Sequence, residues 1–189
     1  MSDVSDLYEL VASGFSARGD VISEGQWSAP TPHEDWTVRD LVAHTITTQR
    51  KVLATLGGPK AVGPDEDGDL AEQWHDASDA MRGALNDPER GSKTIRGLLG
   101  EQPFEALVGQ LICPDTLVHT WELSRAIGQD ATLDPAAMAG ATVILTPIDD
   151  AVRRPGGFAD KIASPAGADE QTRFLNFCGQ PVTSVSPLR

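Results

Sequence analysis

The sequence predicts an all-α protein: a bundle of four long antiparallel helices with small C-terminal additions and, at most, a short two-stranded element. Three observations carry this expectation. Apolar residues recur at three- and four-residue spacing in long segments, proline and glycine break the chain between those segments, and extended character is confined to short stretches late in the chain. At 189 residues the chain suits one domain, with a core over about 4–152 and an extension over about 153–189.

The first helix is expected from Val4 to Ile22, with Leu7, Leu10, Val11, Phe15, Val21 and Ile22 broadly on one side, although Gly14 and Gly19 weaken it. Gln26 to Asp35 reads as a connecting loop, because Pro30 and Pro32 each disfavour helix in the residue before them. Trp27 and Trp36 flank it and are expected to pin it to the bundle. Thr37, followed three residues later by Asp40, resembles a capping box, so a second helix should run from Val38 to Leu56 and stop at Gly57-Gly58-Pro59. Gly63 to Gly68 is an acidic linker, expected to be exposed and mobile. A third helix follows from Leu70 to Leu85, with Leu70, Trp74, Ala77, Met81, Ala84 and Leu85 as its apolar stripe and His75 one position off it, toward solvent.

Between Pro88 and Pro103 the periodicity fails. Ser92 to Ile95 could form a strand, 97–100 reads as loop, and a connection of this length is expected to wall a pocket. The fourth helix should span Phe104 to Ile127 and end at Gly128, kinked by the internal Pro114. Asp134 as cap and Pro135 at the first helical position open a fifth helix to Val152, with a bend at Pro147. A turn at 153–157, a strand at Phe158 to Ala163 pairing with Ser92 to Ile95, a small helix at Glu170 to Phe177 and a loose tail complete the expectation.

Charge narrows the function. Lys plus Arg number 15 against 28 for Asp plus Glu, a net −13 that argues against nucleic acid and anionic membranes as partners. No apolar run approaches bilayer length and no basic segment precedes an apolar one at the start, so the expected location is cytoplasmic. Cys113 and Cys178, far apart, make no disulfide framework. Cys113 reads as packing, with a thiolate near a metal as the weaker alternative. Repeats, phosphate-binding glycine loops and Cys-x-x-Cys sites are missing, which removes nucleotide and structural-zinc readings.

The chemistry lies in the histidines. On a helix, Asp115 and His119 project from one face a turn apart, a spacing at which one carboxylate and one imidazole can hold the same divalent ion. His44, on the face of its own helix shared by Leu41 and Thr45, is the best third ligand. Two nitrogens and one oxygen suit zinc with an open position, or nickel or iron(II) with more. A buried histidine bonded to a carbonyl and a local Asp/His pair would explain the same residues without a metal.

The stretch Thr31-Pro32-His33-Glu34-Asp35-Trp36-Thr37-Val38-Arg39-Asp40-Leu41-Val42-Ala43-His44 and the later Asp115-Thr116-Leu117-Val118-His119-Thr120-Trp121-Glu122-Leu123-Ser124-Arg125 resemble the DinB-like superfamily, in the branch of mycothiol-dependent maleylpyruvate isomerase and its actinobacterial relatives. The segment Ala168 to Gly179 is similar to the family's C-terminal helix, so the resemblance covers almost the whole chain. It implies an up-down-down-up bundle, a tendency to form homodimers, and His44, Asp115 and His119 as the ligands of a divalent metal, zinc foremost. The chain departs from the family pattern in three places: many relatives have Cys at His33, the isomerase has Glu at Asp115, and a small residue is frequent at Thr120. The shorter Asp115 leaves the metal's identity open. The resemblance further implies a site that presents the thiolate of mycothiol, or of another low-molecular-weight thiol, to a small electrophile, hence a thiol transferase or isomerase. A hydrolase of an amide or thiol conjugate and a non-enzymatic metal-binding or stress-related bundle are the alternatives. Glu122 reads either as a solvent-facing residue or as one that would orient an imidazole by accepting its free N–H. Arg39, Arg50 and Arg125 are weak candidates for receiving a substrate carboxylate. A closed, structural site would need a fourth protein ligand, for which His33 is the nearest candidate.

Overall fold

The helices begin where the sequence supplies a side-chain acceptor for their first free N–H groups. In the computed structural model, which describes residues 3–182 apart from 34, 66, 98 and 154–156, α1 spans Asp3–Gly19, α2 Val38–Ala54 and α3 Leu70–Asn86. The capping box of α2 is complete: Asp40 N–H donates to Thr37 Oγ1 at 3.3 Å, and Thr37 N–H to Asp40 Oδ2 at 2.9 Å. Asp69 caps α3 through the N–H groups of Ala71 and Glu72. A short α4 (Pro88–Gly91) leads into the hairpin of β1 (Thr94–Gly97) and β2 (Gly100–Pro103). α5 (Phe104–Leu107) continues through a π-helical turn, 108–112, into α6 (Cys113–Ile127). Then come α7 (Pro135–Leu145), capped by Asp134, α8 (Asp149–Val152) and α9 (Glu170–Phe177), capped by Asp169.

α1 packs on α3 and α6, and α2 packs on the same pair, so α1 lies diagonally across the bundle from α2, and α3 from α6. α7 covers α1 and α6, and α9 packs on α7. Leu7, Val11, Phe15, Leu41, Ile46, Trp74, Met81, Leu123 and Leu145 belong to one continuous core. The third-helix stripe is buried throughout, as its spacing predicts. α6 is enclosed on nearly every side: from 113 to 124 only Asp115 escapes burial. Two of its hydroxyls bond back within the helix, Thr120 donating to the Thr116 carbonyl and Ser124 to that of Thr120, both at 2.8 Å.

Several expectations need correction. α1 stops at Gly19, short of Val21, which is 51% exposed, and Leu10 is 41% exposed because the buried face of the helix is that of Leu7, Tyr8, Val11, Ala12 and Phe15. β1 pairs antiparallel with β2, Gly97 opposite Gly100, and not with Phe158 to Ala163, which forms no strand. The glycines explain the hairpin: Gly100 has φ +105°, and a Cβ on Gly97 would collide with the Gln102 side chain. The acidic linker is tied down, since Gln73 bonds both the N–H and the carbonyl of Asp65, at 2.8 and 2.9 Å, and Arg50 donates to the Gly63 carbonyl. The irregularity ahead of α6 is a widened turn in which Cys113 N–H reaches back to the Val108 carbonyl. Pro114 has no N–H to offer and would clash with the carbonyl four residues back, so the chain takes up one more residue there. The bend expected at Pro147 is present as a 3-10 turn, Thr146–Ile148. The expected turn at 153–157 and the tail fall mainly outside the described residues.

Candidate metal centre

The capping box starts α2 so that His44 arrives on the side facing α6, and the widened turn ends where α6 presents Asp115 and His119 to it. His44, Asp115 and His119 each offer a ligating atom within 4.8 Å of the others, a group that could hold a divalent metal. His119 Nε2 lies 3.4 Å from Asp115 Oδ1, and His44 Nε2 lies 4.0 Å from Asp115 Oδ2. The two imidazoles meet edge to face, centroids 5.1 Å apart. His119 is held from behind: Nδ1 donates to Glu122 Oε2 at 2.6 Å, and Glu122 is fully buried. That bond fixes the tautomer and turns Nε2 toward the cluster.

The residues fit a cation. Asp115 Oδ2 and His119 Nε2 are buried and have no hydrogen-bond partner among the described residues, a costly condition unless something positive sits between them. The neighbouring carboxylates also set the protonation of the free cluster. Burial works against a charged His119, but the Asp115 and Glu122 carboxylates outweigh it and push the imidazole up to about 10. Burial alone would raise the Asp115 carboxyl, yet the two histidines hold it below its ordinary range. His44 is lowered by burial and by the neighbouring His119.

A pocket of about 280 Å³ opens over the cluster. Trp36 forms one wall: His33 stacks on it at 3.9 Å, and its ring lies 4.7 Å from that of His44. Trp36 therefore borders the site, beyond the packing role its position suggested. His33 lines the pocket but is outside the ligating group. The opposite wall comes from Phe158, Ala159, Cys178 and Gln180 in the C-terminal extension, and no described residue of the 88–103 connection contributes. Cys178 was invisible to motif reasoning, because only the return of the chain across the bundle brings it here. Cys113 is wholly buried, and burial pushes its thiol up to about 12, in keeping with packing. His75 pairs with Asp20 at 2.7 Å away from the site. None of Arg39, Arg50 and Arg125 lines the pocket; Arg39 lies over Trp27 and Arg125 over Trp121.

Arg153 holds the C-terminal wall. Its guanidinium donates to the carbonyls of Ala159 at 2.5 Å and Phe177 at 2.6 Å, and pairs with Asp149 at 2.9 Å. Removing it costs charge-assisted bonds of about 1.5 kcal/mol or more each. In a Cys113→Ala background, Arg153→Ala is expected to speed labelling of Cys178 by an aromatic disulfide by roughly tenfold or more, through easier local opening. An unchanged rate would show that the wall stands without the clamp.

Fold and site together define a helical bundle with a His/Asp/His cluster suited to a divalent metal at the floor of a pocket. The chain belongs to the mycothiol maleylpyruvate isomerase N-terminal domain family, a DinB-like branch, whose model matches residues 9–124. That match contains the three clustered residues and Glu122 but none of the C-terminal wall. The chain is also similar to two uncharacterized proteins of Mycobacterium tuberculosis, one from each of two strains, both 29% identical over 181 residues that cover 93% of this chain and 96% of theirs. No solved structure matches the chain.

Proposed function

We propose that His44, Asp115 and His119 hold a divalent metal, zinc foremost, and that the protein is a thiol-dependent transferase or isomerase acting on a small electrophile. The observation that carries the metal is the pair of buried donors without a hydrogen-bond partner among the described residues, Asp115 Oδ2 and His119 Nε2, in a group with His44. Family membership supports the thiol. A metal bound by three protein ligands would supply a Lewis acid that lowers the pKa of a thiol or water at its open position.

The chain's own residues do the rest. Glu122 keeps the proton on His119 Nδ1, so Nε2 can face the cluster as a neutral donor. Asp115 contributes the one negative charge among the three donors. Trp36, Val118 and Phe158 line the approach, and their apolar surface limits water at the reacting atoms. His33 is stacked on Trp36 and is not among the clustered donors, which favours an open, reactive site over one closed by a fourth protein ligand.

The test is cobalt substitution, monitored while mycothiol is added. A thiolate-to-cobalt absorption band that saturates with one thiol per chain is expected. Metal binding with no thiol band would shift the reading to hydrolysis or to a structural site, and absence of metal binding would end it.

A further inference from the structure

A buried polar chain joins α1, α2 and α6 beneath the cluster. Tyr8, Gln49 and Thr116 are 0%, 0% and 1% exposed. Tyr8 Oη donates to Gln49 Oε1 at 3.1 Å, and Gln49 Nε2 donates to Thr116 Oγ1 at 3.4 Å. The Thr116 carbonyl accepts from Thr120 at 2.8 Å. Burial drives the Tyr8 phenol far above its ordinary range, so it stays a neutral donor. An amide and two hydroxyls are expensive to place in an apolar interface, and among the described residues their hydrogen bonds run to one another and not to the clustered donors.

Their position along the helices gives them a use. Gln49 follows His44 by five residues on α2. Thr116 directly follows Asp115 and precedes His119 by three on α6. Apolar ridges of two helices can interlock at more than one register, whereas a directional amide between two fixed partners admits one. A slip of one turn moves a helix by about 5.4 Å. That exceeds the 4.8 Å within which the donors of the cluster meet.

We propose that Gln49 is a positioning residue for the metal centre: its side-chain amide, held between Tyr8 and Thr116, sets the register of α2 against α6 and so brings His44 to Asp115 and His119. The proposal rests on the metal reading above. It is tested with the variant Tyr8→Phe/Gln49→Leu/Thr116→Val, which replaces the whole chain of polar groups by apolar ones of similar shape and leaves no buried orphan. Zinc affinity is measured by competition with a chromophoric chelator, the cobalt spectrum is recorded, and stability is followed by urea unfolding. The triple variant is expected to unfold cooperatively at or above the wild-type midpoint, to bind zinc about tenfold or more weakly, in the range typical of lost supporting contacts, and to show a displaced cobalt spectrum. A merely structural role would change stability and leave affinity alone.

Equal affinity and an identical spectrum would overturn the proposal and leave the metal reading intact. A wild-type chain that binds no metal would remove both. Should the triple variant not fold, Thr116→Ser, which keeps the hydroxyl, should bind zinc like the wild type, and Thr116→Val about tenfold more weakly. Parity between those two would also overturn it.

Discussion

Replacing His119 or His44 by Ala is expected to abolish stoichiometric metal binding, while His75→Ala leaves it unchanged. Zinc sites with four protein ligands bind with roughly 10–16 kcal/mol, so one ligand's share is about 2.5–4 kcal/mol and its loss weakens affinity by roughly fifty- to a thousandfold. Glu122→Gln should fall between, weakening affinity by roughly ten- to a hundredfold, because it removes the carboxylate charge behind His119 and not a ligand. His44 is the cleaner site for the test. Its side chain is 40% exposed, so truncation leaves a small cavity, whereas His119 sits in the packed interior of α6. Elemental analysis and chelator competition on untagged protein check the series. If all three histidine variants bind metal alike, the cluster is not the metal site.

The affinity should rise about tenfold per pH unit between pH 7 and 9, with about one proton released per metal bound. His119 is pushed up to about 10 in the metal-free protein, so it carries a proton across this range and must lose it to become a ligand. His44 is lowered from its ordinary value and Asp115 is already ionised, so neither adds a proton to the count. Metal-free stability runs the other way. The folded-state value of His119 lies above that of the unfolded chain, near 6.5, so the stabilisation is fully present below that pH. It is lost as pH rises toward about 10. Raising the pH should therefore weaken the metal-free fold while tightening metal binding. Calorimetric titrations in two buffers of different ionisation heat measure the proton count, and unfolding with and without metal measures the crossing trends. An affinity flat across the range would show that His119 is not protonated in the free protein, or is not a ligand.

Local chemistry determined much of this molecule. The caps at Thr37, Asp69 and Asp134, the breaks at Gly57 and Gly128, and the Leu70 to Leu85 stripe are contacts within a turn or two, so spacing alone located the long helices. The pairing of Asp115 with His119 is of the same kind, since four residues on a helix leave little freedom. Glu122, three residues after His119, reaches the same imidazole for the same reason. The convergence of His44 on that pair needed more. Helical periodicity put it on an inward face but says nothing about register between helices, which depends on packing and on buried groups such as Gln49.

Where the reading failed, the deciding contacts were distant in sequence. A strand at Phe158 to Ala163 was plausible from residue type, but β1 found a closer partner across two residues, and the closure entropy of a short loop is small. Cys178 and Ala159 reach the pocket because α7 and α9 turn the chain back over the bundle and Arg153 ties two of its returning segments together. Trp36 borders the histidines for a related reason: its loop folds over the start of α2, Thr31 N–H bonding the Trp36 carbonyl at 2.9 Å. The sequence by itself thus determined the helices, their breaks and the Asp115/His119 pair on one helix, because those are set by neighbours along the chain. Only the tertiary structure decided which side chains meet across the bundle and what encloses them, because register, burial and the returning C-terminal wall arise from contacts that no local pattern encodes.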